Sequence, residues 1–398
     1  MSQPAFSPPG GLLPAVGPVP ARRRVSALTI VTMVVLGLGT LVIAFLVLFA
    51  GGPINAFVTI CLAAISFPLL ILMAFWLDRY EPEPARYRIA ALGWGAVVAV
   101  AIGLGLEFLL TALTGSSVAT TAVVWAPLAE ELGKGLFPLL ILLLRRQQLH
   151  GILDGIVYAV LTGIGFAFTE DVLYYLQSLN QGGVGGLVST FVLRGVLSPF
   201  AHPLFTAATG VGIGVAVMSR SPVVRLIAPV LGYLVAVLMH ATWNGSATFG
   251  GTQGFFLTYL VGFLPLLVVL IAIAVWARGR EGKMLTAALR DCAEMGWIAP
   301  GEIRWIATLS DRSAARKYAA RVGGKRAALI LRDYQQALTE MAFLHNRVVS
   351  GTAPANFNAR MYEIQQRAAA LRPWVILPPV QLPPPAAIWP GQPSVRWQ

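Results

Sequence analysis

The sequence predicts an all-α, polytopic membrane protein with about eight transmembrane helices and a helical cytoplasmic C-terminal extension. Three observations carry that expectation. Of the 398 residues, 57% are hydrophobic and only 12% are charged, about half the charged share of a soluble domain. The apolar residues gather in runs of roughly 20 or more between positions 26 and 277, the length a helix needs to cross a hydrocarbon core of about 30 Å. Lysine and arginine fall only in every second loop between those runs. Such a composition excludes an ordinary soluble enzyme, a disordered protein and a secreted disulfide scaffold. Unbroken apolar runs also exclude an outer-membrane barrel, whose strands are alternating segments of about ten residues. Cys61 and Cys292 offer neither a bridge nor a paired-thiol metal site.

The elements follow in order. Residues 1–25 form a Pro-rich tail, with six prolines before the basic triplet Arg22, Arg23 and Arg24, and read as disordered. The first apolar run, 26–49, exceeds the roughly 7–15 residues of a signal-peptide core and reads as a retained span. Further spans are expected at 54–76, 89–113, 119–144, 153–177, 187–218, 223–246 and 254–277. The sixth is over-long and interrupted by Arg194 and Ser198-Pro199, which suits a short surface helix followed by a span. One set of loops holds the basic triplet, then Arg79, Arg86 and Arg88, Arg145 and Arg146, Arg220 and Arg225, and Arg278 and Arg280. The other set, near 50–53, 114–118, 178–186 and 247–253, holds no lysine or arginine. The bias of positive charge toward the cytoplasm then places both termini there, in a multi-pass protein of the cell membrane.

Residues 26–278 therefore read as the membrane domain and 279–372 as the helical cytoplasmic extension, with amphipathic patterns at 282–295, 312–321, 325–349 and 356–371. A second Pro-rich tail, 373–398, reads as disordered. Residues 279–398 carry 16 Lys+Arg against 8 Asp+Glu, which suits proximity to anionic lipid at about 1 kcal/mol per basic residue. No motif supports nucleic-acid binding, so the bilayer is an expected partner and nucleic acid is not.

Each ionisable group at the centre of a span costs about 2.5–3.5 kcal/mol on insertion scales, yet four consecutive spans carry them. Span four holds Glu130, Glu131 and Lys134; span five, Glu170 and Asp171; span six, Arg194 and His202; span seven, His240 and Asn244. Glu130 and Lys134, four apart, share a helix face and can pair, while Glu131 is rotated by about 100° and free to point elsewhere. Because alternate spans run in opposite directions, Glu130, Glu170, His202 and His240 fall at one depth and can converge on one cavity. Glu107 reads as structural, as does Asp154 at a helix N-terminus.

Carboxylates beside imidazoles are the parts of a water-activating site. Two histidines and a carboxylate also form a catalytic zinc set with one position left for water. There is no HExxH and no serine with a suitably spaced histidine. A proton-coupled transporter uses the same residue types, and a non-catalytic membrane scaffold is a third reading.

The patterns Glu130-Glu131-x-x-Lys134, Phe166-x-x-x-Glu170, His202 and His240-x-x-x-Asn244 resemble the PrsW family of bacterial intramembrane proteases, over about residues 60–250. That family is related to the CAAX-processing and bacteriocin-processing membrane proteases. The resemblance implies an intramembrane endopeptidase acting on a membrane-anchored protein substrate of the anti-sigma-factor kind, either metallo-dependent, with Zn2+ the natural candidate, or glutamate-dependent. Two departures from the CAAX-type pattern stand out: Lys134 replaces an arginine one position later, and Glu170 replaces a histidine. On this reading Glu130 activates water, with Glu131 the closest alternative, and Lys134 is the charge partner. His202 orients the water or binds metal, His240 and Asn244 hold the oxyanion or supply a ligand, and Glu170 is a third polar partner. The expected metal set is His202, His240 and Glu170.

Overall fold

The computed structural model describes residues 27–80, 82–354 and 356–379, so the expected N-terminal tail and most of the C-terminal one lie outside the described residues. Among the described residues there are helices and no strand. They divide into a membrane-type unit, 27–284 with Phe343–Phe357, and a second helical unit, Leu285–Ala342 with 358–379.

Among the described residues, five helical runs are long and apolar enough to cross a membrane, against the eight spans expected. Physical breaks account for much of the difference. The run Ile30–Leu77 has 48 residues, about 72 Å at the helical rise and more than twice a hydrocarbon core. It lies within α1, Ala27–Leu77, which breaks at Gly52 (φ 70°, ψ 172°), next to Pro53. A side chain is disfavoured in that backbone conformation and proline cannot continue the hydrogen-bond ladder. The second run is α2, Ala85–Thr114. The third, Ile152–Met218, has 67 residues and consists of α4 (Ile152–Thr190), a wider turn over Phe191–Leu197 and α5 (Ala201–Met218). Where a loop was expected at 178–186, the chain remains helical around a single break at Gly183 (φ 59°). The last two runs are α6 (Pro222–Phe249) and α7 (Gly251–Glu294). Helix α3, Ala126–Leu144, is not among the five, because Glu130, Glu131 and Lys134 sit within its 19 residues.

Close backbone approach builds the centre of this unit. A Cβ on Gly155 of α4 would lie 2.1 Å from the carbonyl oxygen of Gly210 on α5, so only glycine permits this contact. Small residues at a membrane helix crossing allow dispersion contacts to replace the hydrophobic drive that lipid removes. Side-chain bonds then tether α3, with Trp94 Nε1 of α2 donating to Gly133 O at 2.9 Å and Tyr233 of α6 donating to Leu128 O at 2.9 Å. Thr169 of α4 donates to Ala96 O of α2 at 2.8 Å. A buried apolar plug of Phe137 and Ile141 from α3, Val157 and Leu161 from α4, and Ile213 and Val217 from α5 fills the space beside them. Asp154 closes the first turn of α4, accepting from the backbone amides of His150 and Gly151 at 2.5 and 3.3 Å.

The short link from α1 to α2 is built on buried carboxyls. Asp78 accepts from the Glu83 amide at 3.0 Å and faces Arg88 at 3.5 Å, while Glu83 accepts from the Tyr158 hydroxyl at 2.6 Å. Burial outweighs these contacts and lifts the Asp78 carboxyl from 3.8 to about 8, and it holds Glu83 well above the usual carboxylate range. A carboxyl raised on folding stabilises fully below its unfolded value near 4 and loses that contribution as pH climbs through 8. Limited proteolysis at this link is therefore expected to accelerate from pH 4 to pH 8 and then level off, and Asp78→Asn to flatten that dependence. An unchanged slope in the variant would remove Asp78 from the account.

In the second unit, the 309–342 part of α8 (Leu309–Val349) is joined to α9 (Phe357–Leu371) by Arg367 donating to Glu340 at 2.6 Å. Helix α8 breaks at Gly323-Gly324, where the amphipathic pattern also changed. Buried Tyr334 donates to Glu302 Oε2 at 2.6 Å, Arg372 pairs with the same carboxylate, and Arg312 donates to Thr339 at 2.8 Å.

Candidate active site

Four helices place the expensive polar groups of the sequence together. Lys134 is at the centre and fully buried. Its Nζ donates to Glu130 Oε2 at 3.2 Å and to Glu131 Oε1 at 2.8 Å, stands 2.9 Å from His202 Nδ1, and lies 3.8 Å above the Phe166 ring. Glu131 does not point elsewhere as its rotation suggested. Three residues along a helix also returns to the same face, so it shares the lysine with Glu130.

The two glutamates nonetheless have different surroundings. Glu131 is completely enclosed and receives three donors: Lys134, the Thr206 hydroxyl at 3.0 Å and His240 Nδ1 at 3.0 Å. Glu130 is 8% exposed, with its Oε2 at 3.8 Å from His240 Nε2. The His240 ring stacks on Phe205 at 5.0 Å and 26° and meets the His202 ring edge-on at 5.2 Å. Bonded at one nitrogen and stacked on its face, His240 turns Nε2 toward Glu130.

Beyond His202 lies a second charged group. His202 Nε2 and Glu170 Oε2 are 2.5 Å apart. Arg194, in the wider turn 191–197, donates from Nη2 to Glu170 at 2.5 Å and from Nε to Asp171 at 2.6 Å. The break at 198–200 lets Arg194 and His202 approach to 3.5 Å. Its freed carbonyls are satisfied within the protein: Ser198 donates to Leu193 O at 2.6 Å and Tyr259 to Leu197 O at 2.8 Å. That satisfaction is required where no water is at hand. Next to the break, a cavity of about 160 Å³ opens onto His202.

Asn244 is one turn beyond His240 and donates to the Ala122 carbonyl at 2.8 Å, tying α6 to the segment before α3. One of its two amide hydrogens is used there. The sequence reading singled out Arg194 and Asp171 as costly but did not join them to Glu170, and it missed Thr206. Its spacing of four from His202 was the available signal, because it places both on one face of α5.

The donor set suits a metal. Glu130, His202 and His240 each offer a ligand atom, and these atoms lie within 4.8 Å of one another, all three residues being buried. The carboxylate that joins the imidazoles in this group is Glu130, whereas Glu170 faces Arg194 on the far side of His202. Two imidazoles with one carboxylate are a catalytic zinc set. A carboxylate on the other nitrogen of a ligand histidine, as Glu131 is on His240 Nδ1, fixes its tautomer and orientation.

Comparison with known proteins adds to this geometry. The profile of a family described as "PrsW family intramembrane metalloprotease" matches residues 83–270. A protein named Protease PrsW from Clostridioides difficile (strain 630) is 30% identical over 185 residues, which are 44% of this chain and 74% of the relative. Another of the same name from Geobacillus kaustophilus (strain HTA426) is 28% identical over 154 residues, 38% of this chain and 64% of that relative. No solved structure matches the chain.

Proposed function

This chain belongs to the PrsW family of intramembrane metalloproteases, and we propose that it hydrolyses a membrane-anchored protein substrate with water activated by Glu130. The observation that carries this reading is the buried convergence of Glu130, Glu131, Lys134, His202 and His240 from separate helices. Glu131 is saturated by three donors, so Glu130, turned toward His240 Nε2, is the better proton acceptor. Glu131 then holds His240, and Lys134 compensates the charge of both carboxylates. As the tetrahedral intermediate forms, the second amide hydrogen of Asn244 serves its oxyanion, while His240, whose ring proton goes to Glu131 from Nδ1, keeps the Nε2 lone pair as a ligand. Glu170 positions His202 and receives Arg194.

His202 and His240 would hold a metal, Zn2+ by donor type, with Glu130 lending one carboxylate oxygen and keeping the other for the proton, and Glu170 a further carboxylate beside His202. When bound, such an ion supplies an acidified water and carbonyl polarisation. We assign eight spans within the protease domain 26–278, both termini to the cytoplasm and the protein to the cell membrane. The extension 279–372 is assigned to the cytoplasmic face, and the substrate class, by family, is an anti-sigma-factor-like membrane protein.

The test uses purified protein in vesicles with a membrane-anchored reporter. His202→Ala and His240→Ala should each abolish cleavage without loss of insertion, and together remove any metal that co-purifies. Proton-coupled solute flux with no proteolysis would overturn the reading in favour of a transporter.

A further inference from the structure

The cavity beside the helix break has a size and wall that the hydrolytic reading does not use. Its volume is about 160 Å³, close to that of an engineered apolar cavity that binds benzene. Leu193, Trp243, Ala247 and Phe255 form apolar wall, and His202 joins the cavity to the polar cluster. The remaining charged wall is Arg194 with Asp171. Arg194 is already committed to two carboxylates, Glu170 and Asp171, at 2.5 and 2.6 Å. That trio sums formally to one negative charge, so a carboxylate entering from outside finds no free cation and meets repulsion.

From these features we infer that the cavity is a specificity subsite, receiving the side chain of the substrate residue beside the scissile bond and selecting an uncharged aromatic or large aliphatic group. The inference rests on the protease reading above. A peptide carbonyl lying over Glu130 and His240 has its neighbouring residue within reach of His202, and a ring-sized side chain there packs against the Trp243–Phe255 pair, whose rings meet edge-on at 5.0 Å. Burial of that ring against aromatic edges gives the contact, and the rigid π-faces give it shape. Glycine or alanine at the same substrate position leaves the cavity unfilled, and aspartate is rejected by the Asp171 side.

Ala247 is the position to change, because it lines the cavity while remaining exposed on α6, so a larger side chain enters the cavity without displacing packed core. The full-length protein in vesicles is given a series of membrane-anchored reporters with Phe, Leu, Ala or Asp at each position flanking the cut. Wild type should prefer Phe or Leu over Ala at one flanking position by about tenfold or more in kcat/KM, the scale of hydrophobic-pocket discrimination. Asp should be the poorest. Ala247→Phe should erase that preference by lowering cleavage of the Phe and Leu reporters to the level of the Ala reporter, whose own rate it leaves nearly unchanged. Ala247→Ser, which fills nothing, should behave as wild type. A wild type that cuts reporters with no preference, or an Ala247→Phe variant that keeps the preference, overturns the subsite. A wild type that cuts no reporter overturns the protease reading itself and the subsite with it. If Ala247→Phe fails to insert, Ala247→Leu reads the same shift.

Discussion

Lys134→Met is expected to abolish cleavage and to destabilise the membrane unit by about 3–5 kcal/mol, the scale for breaking a buried charge pair from one side. The lysine is fully buried and within 3.2 Å of both glutamates. Methionine fills its volume but leaves two carboxylates facing one another without a cation. The damage should therefore be electrostatic, and it should yield to a second change. Glu131→Gln in the Lys134→Met background removes one of the stranded charges and should recover part of the stability, although not the activity. Thermal unfolding of the four proteins of this cycle in detergent measures the coupling. Strictly additive losses would mean that Lys134 acts by packing alone.

The second large effect separates the two glutamates. Glu130→Gln should lower kcat/KM by about 10²–10⁴, the range associated with a positioned general base, with little change in stability because its contact to Lys134 survives as a hydrogen bond from the ammonium to the amide oxygen. Glu131→Gln should cost activity and stability together, since Lys134, Thr206 and His240 all bond to that carboxylate. A quenched cleavage assay read beside a melting curve distinguishes the two. If Glu131→Gln instead leaves stability intact and Glu130→Gln unfolds the protein, the roles are exchanged.

Much of this site was legible because charge in hydrocarbon is so unfavourable that its presence marks a place. Glu130, Glu170, His202 and His240 were visible as residues and as a common depth, and Lys134 as a residue on the Glu130 face. Partnership was less legible. Spacing along one helix predicts the Glu130–Lys134 pair, but nothing local tells that Arg194 reaches back 23 and 24 residues to Asp171 and Glu170. The direction of Glu131 was misjudged, since both three and four residues bring side chains to one face. The described residues show five candidate runs against the eight expected spans for a different reason. Hydropathy registers where apolar residues are, while the breaks at Gly52 and Gly183 depend on one backbone conformation each, and such a break joins two apolar runs into one helix-like stretch.

The apolar plug beside the site has a further consequence. Its members on α3 and α5 follow the polar residues in sequence and those on α4 precede them, so on all three helices the plug lies toward the same end. A corridor across the membrane needs polar stations on both sides of its midpoint. Here Phe137, Ile141, Leu161 and Ile213 lie toward one end of the polar cluster, and the cavity beside His202 opens at the other. An arrangement plugged at one end and open at the other is a cul-de-sac, the shape of a room for reaction and not of a corridor for passage.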